Sequence, residues 1–573
     1  MIAEKGKTIL KKDRRIAYFS MEIGIEANIP TYSGGLGVLA GDTIRAFADL
    51  EVPAVAVTLV YERGYFYQKL NEQGEQRELP VQWNPCDLLQ LHPEKVSVEI
   101  ERRQVMVSAW YYDVMGNDGF NIPVIYLDTN LEENDEKDRN LTSSLYGGDH
   151  RYRIAQEIVL GIGGVRMLKK LGYTGIEKYH MNEGHSSFLA LELLKESKLK
   201  KEGEGDFENI WDIEPVRDLC VFTTHTPVPA GHDQFPYDLV DQVLGNFVPP
   251  AILRQVGGES CLNMTLLALN FSKYVNGVAK KHGEVSQKMF PGYPIDSITN
   301  GVHSLNWTSE SFARLYDKYI HGWYKNPFAL RYSLAIPNEE IWSAHMEEKK
   351  NLIDYVNQQT NAGMSYKELT IGFARRSTEY KRAYLIFNDL QRLAHISNKV
   401  GKIQLIFAGK AHPGDPRGTE IIKKIFKYIE DLKGSVNIVY LQNYDMEVAK
   451  KLTSGVDIWL NTPQRPKEAS GTSGMKAVHN GIPNFSVLDG WWLEGHIEGI
   501  TGWSIGPKEI EFGVDENVRD AYELYEKLEK VIVPLYYQQR NRWTEIMRHS
   551  ISINASFFNT HRMVQEYILN AYI

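Results

Sequence analysis

The chain reads as an α/β protein built from two Rossmann-like, doubly wound domains facing a cleft. Three observations predict this. Short apolar runs alternate with helix-length amphipathic stretches, most regularly after residue 365. Polar residues follow almost every apolar run, which puts them at the carboxyl edge of a sheet, where open α/β sheets bind ligands. Finally, 573 residues exceed what one hydrophobic core organises, so two large domains are expected. A turn-like Thr299-Asn300-Gly301 separates the two series of runs and sets the expected domains at 1–299 and 300–573.

In the first domain RIAYFS, ending at Ser20, reads as a buried strand. TYSGGLGVLAGD is a glycine-rich loop that opens a helix reaching Leu50, and VPAVAVTLV returns as a strand, completing a βαβ unit. Gly35, Gly37 and Ala40 satisfy G-x-G-x-x-A, but the long gap after the first strand does not support a tight dinucleotide turn. RYRIAQEIVLGIGGVRMLKKL has helical periodicity; KYHMNEGHSS and LCVFTTHTPV read as strands running into polar loops. In the second domain LTIGFARR, IQLIFAGK, VNIVYLQNY, VDIWLNTP and IPNFSVLDG read as parallel strands between LIFNDLQRLAHI, TEIIKKIFKYIEDL and MEVAKKLTS. From Asn517 the chain is helical, positioned to pack across the domains or extend the second.

Composition excludes several classes. With 43% hydrophobic and 24% charged residues the chain is globular, and a net charge of −9 offers no general attraction for nucleic acid or anionic membrane. Three scattered cysteines, Cys86, Cys220 and Cys261, suggest neither a disulfide framework nor a zinc site, and no metal is expected. The basic MIAEKGKTILKKDRR lacks a signal-peptide core after it, and no run is long enough to span a membrane. A cytoplasmic protein is expected.

Two stretches carry the chemistry. In EASGTSGMK, Ala469 to Gly474 form a loop of small residues before a short helix, so backbone N–H groups can converge on an anion beside Lys476. The spacing excludes a nucleotide P-loop, since Met475 precedes the lysine and Ala477 follows it. In FARRSTEYKRAYL, Arg375, Arg376, Lys381 and Arg382 place four cations at a strand end, where they repel one another unless solvated or matched to anions. Taken alone, each stretch also suits an ordinary solvated helix start.

EASGTSGMK, RRSTEYKR, TNG, MNEGHSS, SGGLG and GYFYQK together resemble the α-glucan phosphorylases, the glycogen, starch and maltodextrin phosphorylases, in a short prokaryotic form; the resemblance runs from Tyr18 to Gly495. It implies the GT-B arrangement of two Rossmann-like domains and the cofactor pyridoxal 5'-phosphate, held as a Schiff base by Lys476. The expected reaction is retaining phosphorolysis of terminal α-1,4-linked glucose by orthophosphate, releasing α-D-glucose 1-phosphate, with the cofactor phosphate as acid and base. By the motif match Arg375 and Lys381 hold the cofactor phosphate, joined by Thr472, and Arg376 holds the substrate phosphate. Gly34, Gly35 and Gly471 turn N–H groups toward anions; Glu468, Ser470, Tyr380 and Asn300 grip the terminal glucose, and His185 stabilises charge near its ring.

For His225 and His303 the expectation is a satisfied structural hydrogen bond. Trp491 and Trp492 could stack on sugar or close over the cofactor, while core packing is the expected role for most of the tyrosines and tryptophans. Lys273 stands, on this reading, where familiar phosphorylases carry a sugar-contacting histidine. The nucleotide and phosphorylation elements of the large regulated enzymes find no place in the sequence, so unregulated activity is expected; a homodimer is the family's common assembly. A nucleotide-sugar synthase of the same architecture would carry a lysine where Tyr32 stands and lacks a lysine in the EASGT loop. A glucan-binding protein without catalysis would not need Lys476 with its full cation set.

Overall fold

The computed structural model describes residues 9–203, 211–509 and 513–573, so the first eight residues of the basic N-terminal stretch lie outside it. The chain forms two compact units, Met1–Phe66 with Pro80–Ile298 and Val564–Ile573, and Tyr67–Leu79 with Thr299–Met563.

The first unit holds a nine-stranded sheet of β1 (Ile16–Ser20), β2 (Ala54–Leu59), β3 (Gln90–Ile100), β4 (Arg103–Met115), β5 (Asn121–Asp128), β6 (Lys178–Asn182), β7 (Cys220–Thr223), β8 (Tyr274–Gly277) and β9 (Asp296–Ser297). Their order is β9-β8-β7-β6-β1-β2-β5-β4-β3, parallel throughout except for the antiparallel ribbon β5-β4-β3. Alternate side chains point to opposite faces of a strand. Ala17, Phe19, Val55 and Val57 therefore enter one core, while Ile16, Tyr18, Ala54 and Ala56 enter the other. Burial on both faces explains why β1 and β2 read as unbroken apolar runs. The last residues return to this unit: Tyr572 Oη lies 2.6 Å from His180 Nδ1, and Tyr567 Oη accepts from Asn276 Nδ2 at 3.1 Å.

The second unit is a six-stranded parallel sheet of β10 (Leu369–Ala374), β11 (Ile403–Ala408), β12 (Asn437–Leu441), β13 (Ile458–Asn461), β14 (Asn484–Val487) and β15 (Gly502–Ile505), in the order β12-β11-β10-β13-β14-β15. Each unit is thus a doubly wound α/β domain. Among the parallel strands of each, strand order reverses once: between β1 and β6 in the first, between β10 and β13 in the second. Loops diverge at such a point and leave a crevice at the carboxyl ends of the strands.

Candidate active site

In the second unit the reversal point is flanked by the two stretches that the sequence singles out. The loop after β10 carries Arg375, Arg376 and Lys381, and the loop after β13 carries Glu468 to Lys476. Glu468 Oε2 accepts from Arg375 Nη2 at 2.9 Å and pairs with Lys381 Nζ. All three side chains are at most 10% exposed. Burial pushes the Glu468 carboxyl up, but Arg375 and Lys381 outweigh it and hold the group below its ordinary range. Lys381 also stands 4.5 Å over the Tyr380 ring.

Arg376 is exposed and lines one small pocket with Arg375, Ser377, Thr378 and Lys381. Arg382, the fourth cation, turns away from this group. Its backbone is left-handed at φ +48°, and its guanidinium binds Asp520 Oδ2 at 2.7 Å and the carbonyls of Thr462 and Pro463. That arginine ties the loop to the helix Glu516–Lys527 and has a structural role.

The small-residue loop is shaped by close approach. Gly471 has φ +74°, and a Cβ there would lie 3.2 Å from Glu468 Oε1 and 3.4 Å from Arg375 Nη2. Thr472 caps the helix Ser473–Val478 without a side-chain hydrogen bond. Lys476 is buried in that helix, its Nζ 4.0 Å over the Trp307 ring. Arg375 Nη1, Ser470 Oγ and Asn300 Oδ1 are buried without a hydrogen-bond partner among the described residues. An unpartnered buried N–H of Arg375 in the cationic pair, with a buried lysine in the helix that follows the Glu468 loop, fits a phosphate-bearing aldehyde cofactor with Lys476 as its attachment point.

In the first unit the loops at the reversal point are uncharged or acidic. Glu22 accepts from Ser33 N at 2.6 Å, Gly34 N at 3.3 Å and Tyr146 Oη at 2.9 Å. The Gly34 N–H points to Glu22, and Gly34 and Gly35 remain the candidate anion contacts of this loop. His185 follows β6 in a 3-10 turn, with Nε2 3.5 Å from Asp233 Oδ2. Burial pushes its pKa down despite Asp233. Glu183 takes φ +71°, unusual for a side-chain residue, while its carboxylate accepts from Gly184 N, His225 N and Thr226 Oγ1. His225 Nε2 meets Asn182 Oδ1 at 2.6 Å, and burial drives its pKa to about 3.

One expectation fails. Lys273 is an exposed residue before β8, paired with Asp218 at 2.7 Å, and its N–H donates to the carbonyls of Arg217 and Cys220 at the amino end of β7. It therefore lies at the edge opposite the polar loops. In the same segment His282 is the residue carried to the carboxyl edge, in the first turn of the helix Lys280–Met289. Trp491 and Trp492 are 3% and 1% exposed and pack on each other, with Trp491 against Phe558, in keeping with core packing rather than stacking on sugar. The partner of Glu468 that sequence reasoning missed is Asp489, whose Oδ2 accepts the Glu468 N–H at 2.9 Å.

Comparison with known proteins gives the same direction. Residues 251–498 match the family model of the carbohydrate phosphorylases. The chain is 39% identical to the maltodextrin phosphorylase of Thermococcus litoralis over 97% of its length and 70% of that protein. It is 36% identical to the glycogen phosphorylase of Aquifex aeolicus, over 97% and 86%, and 35% identical to that of Mycobacterium tuberculosis, over 97% and 70%.

Proposed function

The chain belongs to the carbohydrate phosphorylases and its activity is phosphorolysis of α-glucans; on that premise we propose that the cationic loop of the second unit binds pyridoxal 5'-phosphate, with Lys476 as the covalent anchor. The observation that carries this reading is the Arg375–Glu468–Lys381 cluster at the strand-order reversal, on the loop that runs on into the helix of the buried Lys476. When bound, the cofactor supplies a phosphate whose second pKa of about 6 suits proton exchange near neutral pH.

The chain's own residues do the rest. Arg375 and Lys381 hold the cofactor phosphate through charge-assisted hydrogen bonds, with Gly471 and Thr472 lending backbone N–H groups. Arg376 orients orthophosphate toward the anomeric carbon of the terminal α-1,4-linked glucose, and Gly35 supplies an N–H to the anion. Glu468, Ser470, Tyr380 and Asn300 hold the sugar hydroxyls; the orphan Ser470 Oγ and Asn300 Oδ1 support that assignment. His185, kept neutral by burial, stabilises charge developing near the ring. The product is α-D-glucose 1-phosphate with retained configuration.

A cytoplasmic homodimer completes the proposal. Its cysteines are free, and no helix among the described residues is long and apolar enough to cross a membrane. The test is Lys476→Ala. It should abolish both the pyridoxal absorption band of the purified protein and glucose 1-phosphate release from maltooligosaccharides; substantial turnover without bound cofactor would overturn the reading.

A further inference from the structure

The loop that presents Glu468 is held from behind by three consecutive residues. Asp489 Oδ2 accepts the Glu468 N–H at 2.9 Å, while its Oδ1 accepts the Gly490 N–H at 3.0 Å. Gly490 has φ +55°, and a Cβ there would lie 2.4 Å from the Ser470 carbonyl oxygen. Trp491 N donates to that same carbonyl at 3.1 Å. Residues 489–491 therefore form a template on which residues 468 and 470 are laid, backed by the packed rings of Trp491, Trp492 and Phe558.

An ionised carboxylate suits this place because each of its oxygens accepts one backbone N–H. An amide would accept only one and set its own N–H₂ against the other, leaving a buried donor unsatisfied. Asp489 is 4% exposed. The charged groups that face it are Arg465, from the same loop as Glu468, and the Glu468 carboxylate, itself matched by Arg375 and Lys381.

We propose that Asp489 is a positioning residue of glucosyl transfer: by holding the Glu468 backbone it fixes where the Glu468 carboxylate meets Arg375, Lys381 and the sugar. This rests on the reading of Glu468 as a substrate-gripping residue. Burial, then the Glu468 charge, pushes the Asp489 carboxyl up to about 7. Above that pH both oxygens accept; below it one becomes a donor, and one backbone N–H loses its acceptor.

The test is a double-mutant cycle in the full-length holoenzyme, with Asp489→Asn, Glu468→Gln and both together, followed as kcat/KM for glucan phosphorolysis between about pH 5.5 and 8.5. Asp489→Asn should lower kcat/KM about tenfold and remove an acid limb centred near pH 7 in the parent enzyme. Titrations of phosphate are common to all variants, so the difference between profiles isolates Asp489. The double variant should be no worse than Glu468→Gln alone. Losses that multiply, or an unchanged pH profile in Asp489→Asn, would overturn the inference. A harmless Glu468→Gln would instead sink the substrate-site reading, and this inference with it. Should Asp489→Asn fail to fold, Asp489→Glu retains an ionisable carboxyl and should lose turnover while keeping an acid limb; a missing limb there overturns the proposal equally.

Discussion

The two units put their functional loops at the same topological place and fill them with opposite chemistry. Between β1 and β6 the loops carry Glu22, Glu183 and His185, next to Asn182 at the end of β6, with buried histidines around them. Between β10 and β13 they carry Arg375, Arg376, Lys381 and Lys476, with Glu468 matching two of the cations. Winding order fixes where a ligand is met; the side chains decide which ligand. Neutral imidazoles, amides and carboxylates suit hydroxyl groups, whereas a cationic nest suits phosphates.

The hardest blow to this contrast is Glu468→Ala in protein freed of cofactor. It leaves Arg375 and Lys381 close together, at most 9% exposed, with no shared carboxylate. Breaking a buried ion cluster from one side costs about 3 kcal/mol or more. Added inorganic phosphate should restore the melting temperature of the variant by more than it raises that of the parent, since anion binding stabilises by mass action. Equal shifts would show that the cluster is not a phosphate nest.

A smaller effect depends on pH; it is strongest in the first unit, although His479 of the second is also pushed to about 4 by burial. Burial pushes His180 to about 3 and His282 to about 4 in the first unit. Their folded-state values lie below the ordinary 6.5, so their stabilising contribution is full above that pH and lost as pH falls toward those values. At about pH 5.5 each accounts for roughly 1 kcal/mol. Glu157, pushed up by burial, works in the reverse sense, so the measurement is made residue by residue. Histidine-selective NMR should find neither ring titrating between about pH 5 and 8. A midpoint near 6.5 for either would mean that this unit opens to water and is not the dry, neutral partner of the contrast.

Legibility in the sequence follows burial and distance. Parallel strands such as LTIGFA and IQLIFA are buried along their whole length and stand out as apolar runs. The ribbon β3-β4 is half exposed and alternates, as in VSVEI, so its signal is period two; GWSI of β15 is only four residues long. Lys476 and its loop are legible because the motif is local. Asp489 lies twenty-one residues from the Glu468 N–H it accepts, and Arg382 takes a left-handed turn toward Asp520, 138 residues away; neither contact leaves a pattern in the chain. The segment FSKYVNGVAKKHG contains a strand, and spacing alone does not tell which flank reaches the carboxyl edge. The strand spans Tyr274–Gly277, so Lys273 precedes it and His282 follows it.

That assignment supplies the smallest expected effect and the sharpest use of the comparison. Lys273 and Asp218 are 68% and 64% exposed, and the pair spans no buried group. Exposed ion pairs gain little because water screens them and ordering two long side chains opposes them. Lys273→Ala should therefore leave kcat, KM for glucan and the melting temperature at parent values in phosphorolysis assays and thermal scans. If both units work through their carboxyl edges alone, a residue at the opposite edge has no route to the sugar. A several-fold rise in KM for glucan on Lys273→Ala would mean that the first unit also recognises carbohydrate at its amino edge, and the placement of its site at the β1–β6 reversal would have to be given up.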